Sequence, residues 1–343
     1  MHMADALLSP VVGGTMMAAT VGIAAYSVRK VQNELDDKKI PLMGVMGAFV
    51  FASQMINFTI PGTGSSGHIG GGLLLAILLG PYAGFLTMAS VLLIQALFFA
   101  DGGLLAFGAN VFNLGFFTCF LVYPLVYKLV MKKGYSTKRI FAASLFSAIV
   151  GLQLGAFSVV LETFFSGKTE LPFGTFVLLM QPIHLAIGVV EGLVTGAVVS
   201  FVWKARPELI EKSSSNGLQN KASMKKIFGA LIVAALLIGG VLSWFASSNP
   251  DGLEWAMMKT AGTAELESKG SIHTKLSEIQ SKLAILPDYS FKSSDEAGHE
   301  EEQSTVSTGT SVSGVAGGAM TLGLAVLIGI TIAALKRKNK TRI

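Results

Sequence analysis

Charge is what this 343-residue sequence has least of: 14% of its residues are Asp, Glu, Lys or Arg, and 51% are hydrophobic. A soluble domain carries about a quarter charged residues. The shortage excludes an ordinary soluble domain, and the little charge present falls in short basic clusters between long apolar runs. That pattern belongs to a polytopic helical membrane protein. The net charge of +5 then reads as a positive-inside bias and not as a nucleic-acid surface. There is one cysteine, Cys119, in an apolar run, so an internal disulfide framework is excluded and the residue reads as packing. No basic region, short apolar stretch and small-residue cleavage site precede the first span, so Met1 is expected to stay. PGTGSSGHIG has the G-x-x-x-x-G spacing of a phosphate loop, but His68 follows where lysine would be needed and no strand is expected before it. With no other Walker-type sequence, the chain is not expected to hydrolyse ATP by that route, and the absence of H-E-x-x-H removes the zinc-protease reading.

What is present is a series of apolar runs at roughly 11–28, 41–60, 69–81, 82–100, 104–130, 140–165, 174–203, 226–246 and 314–335. A helical span needs about 20 such residues. The third and fourth share one run broken by Gly80-Pro81, which reads as a tight inner turn, with Asp101-Gly102-Gly103 as an outer one. Basic clusters at Arg29–Lys39, Lys128–Arg139, Lys204–Lys226 and in the tail KRKNKTRI mark the cytoplasmic side. The amino terminus, the loop 61–68 and the segment 247–313 are then outside, and the carboxyl terminus inside. The expected fold is all-α: a seven-helix module over 1–205, a cytoplasmic linker over 206–225, and a two-helix module over 226–343 with an outside segment at 247–313. The linker is rich in Ser and Asn, and the Ser/Thr/Gly-rich stretch STVSTGTSVSGVAGG is expected to be flexible. Gly14, Ala18 and Gly22 give the first span a small-xxx-small face, suited equally to internal packing or to a partner helix.

Of five histidines, His299 lies in an acidic stretch and His273 in a segment expected to be exposed; neither invites a role. His184 lies inside an apolar helix, with Glu191 on the same face seven residues on; the pair reads as a buried contact, a proton path or polar support for a site. His2 and His68 stand apart because both fall on the outer face. At Met1-His2 the free α-amine, the deprotonated His2 amide and His2 Nδ1 can bind one ion in adjacent five- and six-membered rings. That planar, all-nitrogen chelate suits Ni(II) or Cu(II), and His68 offers a fourth nitrogen. Its glycine-rich surroundings let backbone close over a small ligand. No carboxylate is tied to this chelate in the sequence.

The start MHMADALLSP resembles the MHIPDG-type start of the CbiM/NikM family, the substrate-binding membrane components of cobalt and nickel energy-coupling-factor transporters. GTGSSGHIGGGLLLAILLGPYAG, LLIQALFFADGGLLAFGANVFNLG and QPIHLAIGVVEGLVTG are similar to the same family. The resemblance covers about 1–205 and implies that Met1, His2 and His68 bind the ion. Met3-Ala4 and Ala6 depart from the usual start, although the chelate uses none of those side chains. Farther on, Pro250–Glu254 carries the PDGLE signature and Leu286–Phe291 reads LPDYSF, so the second module resembles the accessory component of these systems, fused here. The resemblance implies a multi-pass subunit of the cell (inner) membrane that binds Ni2+ and delivers it for import driven by separate ATPase subunits acting through a transmembrane coupling (T) subunit, with no nucleic acid involved. Ni2+ is the expected cargo because a planar four-nitrogen site favours it over Co2+. Co2+ uptake, as for cobalamin synthesis, is the alternative. From other classes, a membrane metalloenzyme would need an open coordination position and a nearby acid or base, and a proton-coupled secondary metal transporter would use His184 and Glu191 as a relay.

Overall fold

The structure is a computed structural model and describes residues 2–34, 39–211, 223–267, 270–292 and 308–340. The expected linker and His299 therefore lie largely or wholly outside the described residues. Helices dominate, as the composition requires. The expected spans appear as α1 (Pro10–Glu34), α2 (Ile40–Gln54), α3 (Gly72–Leu79), α4 (Pro81–Phe98), α5 (Phe107–Met131), α6 (Thr137–Phe165), α7 (Phe173–Ala205), α8 (Met224–Gly240) and, after two shorter helices, α11 (Thr308–Lys340). Six of these, α1, α4, α5, α6, α7 and α11, are long and apolar enough to cross a membrane. Most of α5, Phe112–Tyr127, is wound as a π-helix with Pro124 inside it.

The third expected span is corrected: α3 has eight residues, a rise of about 12 Å against a hydrocarbon core of about 30 Å. Ahead of α3 the chain runs as non-helical backbone at 69–71. Such backbone is tolerated at membrane depth only where protein satisfies its polar groups, and protein does so here. Gln54 Nε2 donates to the Gly70 carbonyl at 2.7 Å, and the Gly70 and Gly71 N–H groups donate to the Glu191 carboxylate at 2.7 and 3.1 Å. Gly71 has φ +79°, and a Cβ there would sit 2.6 Å from Val50, so this break admits glycine alone.

Helices α6 and α7 pack closely because Gly188, Gly192 and Gly196 let the α7 backbone approach Ile149, Leu145 and Phe141. Gly14, Ala18 and Gly22 on α1 are instead exposed, and a Cβ at Gly14 or Gly22 would meet nothing within 4 Å. Among the described residues nothing packs on that face. The expectation of flexibility over STVSTGTSVSGVAGG is also corrected from Thr308 onward, where the stretch is the start of α11. Its small residues serve close packing. A Cβ on Gly317 would lie 2.0 Å from the Phe51 ring, and one on Gly314 would lie 2.3 Å from the Gly239 carbonyl. Through these contacts α11 and α8 lie against α2.

The segment between α8 and α11 is folded onto the first module. It contributes α9 (Gly252–Ala261) and α10 (Ser271–Leu283). Before α3 the chain forms a hairpin, β1 (Phe58–Ile60) paired antiparallel with β2 (Ser65–Gly67) in the register Thr59 to Ser66. The turn between them uses Gly62 and Gly64 at positive φ, which glycine adopts without strain.

Candidate metal site at the amino terminus

A chain terminus normally frays unless it is tied down. Here Met3 has no exposed surface, and its backbone is held at both polar groups. Met3 N–H donates to Asn110 Oδ1 at 2.8 Å, while Asn110 Nδ2 and the Gly103 N–H donate to the Met3 carbonyl at 3.1 and 2.9 Å. Asp5 Oδ1 accepts the Ala106 N–H at 3.0 Å. The loop 99–106 and the first turn of α5 thus form a cradle for the terminus. Gly102 is required there: its φ is +81° and a Cβ would meet Asn110 Nδ2 at 2.8 Å.

The cradle brings His2 to His68. The two rings stack with centroids 5.0 Å apart and planes 29° from parallel. His68 Nδ1 lies 3.1 Å from the Ile69 carbonyl, which turns Nε2 toward any ligand. Burial, aided by the positive charges of the amino terminus and His2 and opposed by Asp251 and Asp101, pushes the His68 imidazole down to about 3. It is therefore neutral at physiological pH, the form that ligates metals. Met1 lies outside the described residues.

The expectation that no carboxylate is tied to His2 is corrected. Asp101 Oδ1 lies 2.8 Å from His2 Nδ1, the same atom the proposed chelate uses. Burial works against the Asp101 charge, but the His2 charge and hydrogen bond, with those of Tyr289 and His68, hold its carboxyl well below the usual range. His2 Nε2 is buried without a hydrogen-bond partner. Among the described residues no three His, Cys, Asp or Glu side chains form a metal-ligand cluster. A metal between His2 and His68 would therefore draw on main-chain nitrogen.

His184 and Glu191 are brought to this region separately. Both Glu191 oxygens accept the backbone N–H groups of Gly70 and Gly71, so the residue shapes the loop that carries His68. His184 Nδ1 lies 2.7 Å from the Met180 carbonyl, and its Nε2 is buried without a partner. His184 lines a cavity of about 10 Å³ together with His68, Ile187, Asp251 and Gly252, a space for about one water molecule. Among the described residues no hydrogen bond joins His184 to Glu191.

The third wall is the segment between α8 and α11. The Ser66 N–H donates to the Pro250 carbonyl at 2.8 Å, and Ser66 bridges Asp251 in parallel fashion, so Asn249–Asp251 extends the hairpin beside His68. Asp251 then caps α9, accepting from the Leu253 and Glu254 N–H groups at 2.8 and 2.9 Å, while Glu254 returns a bond to the Asp251 N–H. This is a complete capping box, and it explains the Asp and Glu of PDGLE. Burial opposes the Asp251 charge, yet the amino-terminal charge, the Glu254 amide, His68 and His184 hold its carboxyl down to about 2. Trp255 Nε1 donates to the Thr63 carbonyl at 2.9 Å. On the opposite side, Gln280 Nε2 donates to the Ala96 and Gly102 carbonyls at 2.9 and 2.7 Å, and Tyr289 donates its hydroxyl proton to Asp101 Oδ2. His273, expected to be exposed, is buried with Nε2 2.9 Å from the Leu8 carbonyl. Its strongly amphipathic helix, α10, lays that face on the amino terminus.

Sequence reasoning thus missed Asp101, Asn110, Asp251 and Tyr289. Asp101 and Asn110 left a signal, being polar side chains within a nearly uncharged run of more than fifty residues; intramembrane or membrane-edge polar groups call for a partner.

Comparison with known proteins agrees with this architecture. Residues 2–209 match the family model CbiM, described as the cobalt uptake substrate-specific transmembrane region, and residues 225–334 match the PDGLE domain. A chain of Archaeoglobus fulgidus assigned as a fused nickel transport protein, NikMN, is 33% identical over 297 residues, covering 86% of this chain and 90% of that one. The fused nickel transport protein NikMN of Rhodobacter capsulatus is 35% identical, covering 61% of this chain and 64% of its own. The cobalt transport protein CbiM of Sorangium cellulosum is 30% identical, covering 56% and 85%. A crystal structure of a truncated transition metal transporter superposes with TM-score 0.53 at 32% identity, over 60% of this chain and 99% of that one. With both family models matched in order along one chain, the protein belongs to the CbiM family, carries a fused PDGLE domain, and is a multi-pass membrane transporter subunit, not an enzyme.

Proposed function

We propose that this protein captures Ni2+ on the outer face of the membrane and delivers it for import as the substrate-specific subunit of an energy-coupling-factor transporter. The Met1 amine, the His2 amide nitrogen and Nδ1, and His68 Nε2 are the ligands. The observation that carries the reading is the buried stack of His2 on His68 at 5.0 Å. Metal–nitrogen bonds of about 2 Å place two ligand nitrogens of one ion within about 4 Å of each other, so small ring rotations suffice. His68 is already neutral and turned correctly. His2 Nδ1 must leave Asp101 to reach the ion. Two main-chain nitrogens complete the set, in keeping with the lack of a third ligating side chain among the described residues.

The amino terminus is outside and the carboxyl terminus cytoplasmic, as the basic clusters direct. The PDGLE domain covers the outer site. ATP hydrolysis belongs to separate ATPase subunits acting through a T subunit, and the exposed Gly14, Ala18 and Gly22 leave an α1 face uncommitted within this chain. Co2+ is the second cargo reading, supported by the cobalt-transporting relative; Ni2+ is preferred because a planar nitrogen set suits a d8 ion.

The test is Ni(II) and Co(II) titration of the purified full chain against a competing chelator. The unmodified chain should show the absorption of a planar nitrogen-ligated d8 ion and prefer Ni(II). His2→Ala, or one residue added before Met1, should abolish that band. Undiminished affinity in the extended variant overturns the chelate, and preference for Co(II) overturns the choice of cargo.

A further inference from the structure

We propose that Tyr289 of the PDGLE domain is a positioning residue for metal capture, acting through Asp101 on His2. The inference rests on the reading of His2 as a ligand. Three links form one chain: Tyr289 Oη donates to Asp101 Oδ2, Asp101 Oδ1 meets His2 Nδ1 at 2.8 Å, and the His2 ring stacks on His68 at 5.0 Å. With both oxygens engaged, the Asp101 carboxylate cannot turn without breaking one contact.

The backbone around these links is built for the contact. Among the described residues three non-glycine residues have positive φ: Ala100 at 55°, Asp288 at 50° and Tyr289 at 58°. They stand at the two ends of the Tyr289–Asp101 hydrogen bond. A side chain in the left-handed region is disfavoured and persists where the surroundings over-determine it. Here the Leu286 and Asp288 N–H groups donate to the Phe98 and Phe99 carbonyls at 3.1 and 2.9 Å. The Tyr289 ring stacks on Phe99, with centroids 5.0 Å apart and planes 19° from parallel. The LPDYS turn is thus clamped to the loop that carries Asp101, and the Tyr289 hydroxyl is aimed at that carboxylate.

The chemistry gives this clamp a use. Before capture Asp101 holds the His2 ring against His68 through Nδ1. Capture requires a rotation of the ring that passes Nδ1 from Asp101 Oδ1 to the ion. A group that hydrogen-bonds a ligating histidine orients its ring, and its loss weakens metal binding. Asp101 thereby holds His2 in reach and sets where the ring starts. Tyr289 keeps the carboxylate fixed while the ring turns. The PDGLE domain enters the site as an outer support for a ligand and contributes no ligand itself.

Tyr289→Phe keeps the ring stack and removes only the hydroxyl, and Asp101→Asn keeps the shape. Both, and the double variant, are titrated with Ni(II) as full-length protein in detergent against a competing chelator, with the planar d8 absorption recorded. Loss of an outer-shell partner lowers metal affinity by about 10- to 100-fold. Each single variant should weaken binding by about tenfold or more with the band in place, and the double variant should be no weaker than Asp101→Asn alone. Purely structural packing by Tyr289 would not depend on Asp101, so multiplying effects overturn the proposal, as does Tyr289→Phe binding within twofold of the unmodified chain. If the unmodified chain shows no planar band and His2→Ala binds equally well, the chelate reading has failed and the proposal falls with it.

Discussion

Replacing Glu191 by Gln leaves the volume of the side chain unchanged and alters only its hydrogen bonding. Glu191 accepts from the Gly70 N–H at 2.7 Å and the Gly71 N–H at 3.1 Å. A glutamine must present its NH2 group to one of them, which leaves that buried N–H facing another donor. An unmatched buried donor costs about 1–3 kcal/mol, and the remaining bond drops from the charged class of about 1.5–3 kcal/mol to a neutral one near 1. Together the loss is about 2–4 kcal/mol, concentrated on the loop directly after His68. With about 1.4 kcal/mol per factor of ten, half of that loss expressed at His68 weakens Ni(II) binding by roughly 5- to 30-fold. The assay is chelator competition on purified Glu191→Gln protein, with thermal unfolding as the control for global damage. Affinity within twofold of the unmodified chain, at an unchanged melting temperature, would refute the assignment of Glu191 to loop shaping. The proton-relay alternative predicts a different pair of results: binding intact and uptake lost.

Binding should weaken as pH falls, because capture displaces protons from the Met1 amine and His2 amide, about two per ion. His68, held down to about 3, supplies none near neutrality, and calorimetry in buffers of different ionisation enthalpy reads the count, with a value near zero counting against the chelate. Asp251→Ala removes the α9 cap bonds to Leu253 and Glu254 and should cost about 0.5–2 kcal/mol, seen as faster hydrogen exchange over 250–262 while α6 and α7 stay protected. The same contact should fail in acid. The folded Asp251 carboxyl titrates at about 2, below its ordinary 3.8, so its stabilisation is complete above about 4 and is lost as pH falls toward 2. Gly317→Val forces side-chain atoms into Phe51 and should lower stability by about 1–3 kcal/mol or more, measured as a lower melting temperature of the full chain in detergent; an unchanged value would show that α11 does not pack on α2 as described.

The spans were legible because membrane burial writes itself into composition. His2 and His68, which the fold brings together, could be singled out as candidates because chelate chemistry depends on position two of the chain and needs no knowledge of the fold. The break at 69–71 was not, since an apolar run reads as helix until a distant carboxylate, Glu191, is seen taking its N–H groups. Asp101 looked like a turn residue because DGG is a turn signal on its own, and its partners lie 99 positions upstream and 188 downstream. The Gly and Ser residues of 308–318 carried an ambiguous signal: the same composition serves a flexible tether in water and a close-packed helix face in a membrane. Only the neighbours Phe51 and Gly239 decide between them.

A ligand made from the first two residues of a chain meets a conflict between exposure and order. The amine must be free, so nothing can precede it to anchor it, yet a planar chelate tolerates little disorder. If the proposed chelate forms, its anchors come immediately after the ligand and not before it. Met3 is buried and bonded at both backbone groups, and Leu7 and Leu8 are nearly or fully buried in the core behind it. What those anchors cannot fix is the rotation of the His2 ring, which lies ahead of them. That degree of freedom is held by Asp101, and Asp101 in turn by a tyrosine from the far end of the chain. On the proposed reading the fused PDGLE domain therefore bears on the His2 ring through Asp101, and covalent fusion keeps that support at hand in every copy.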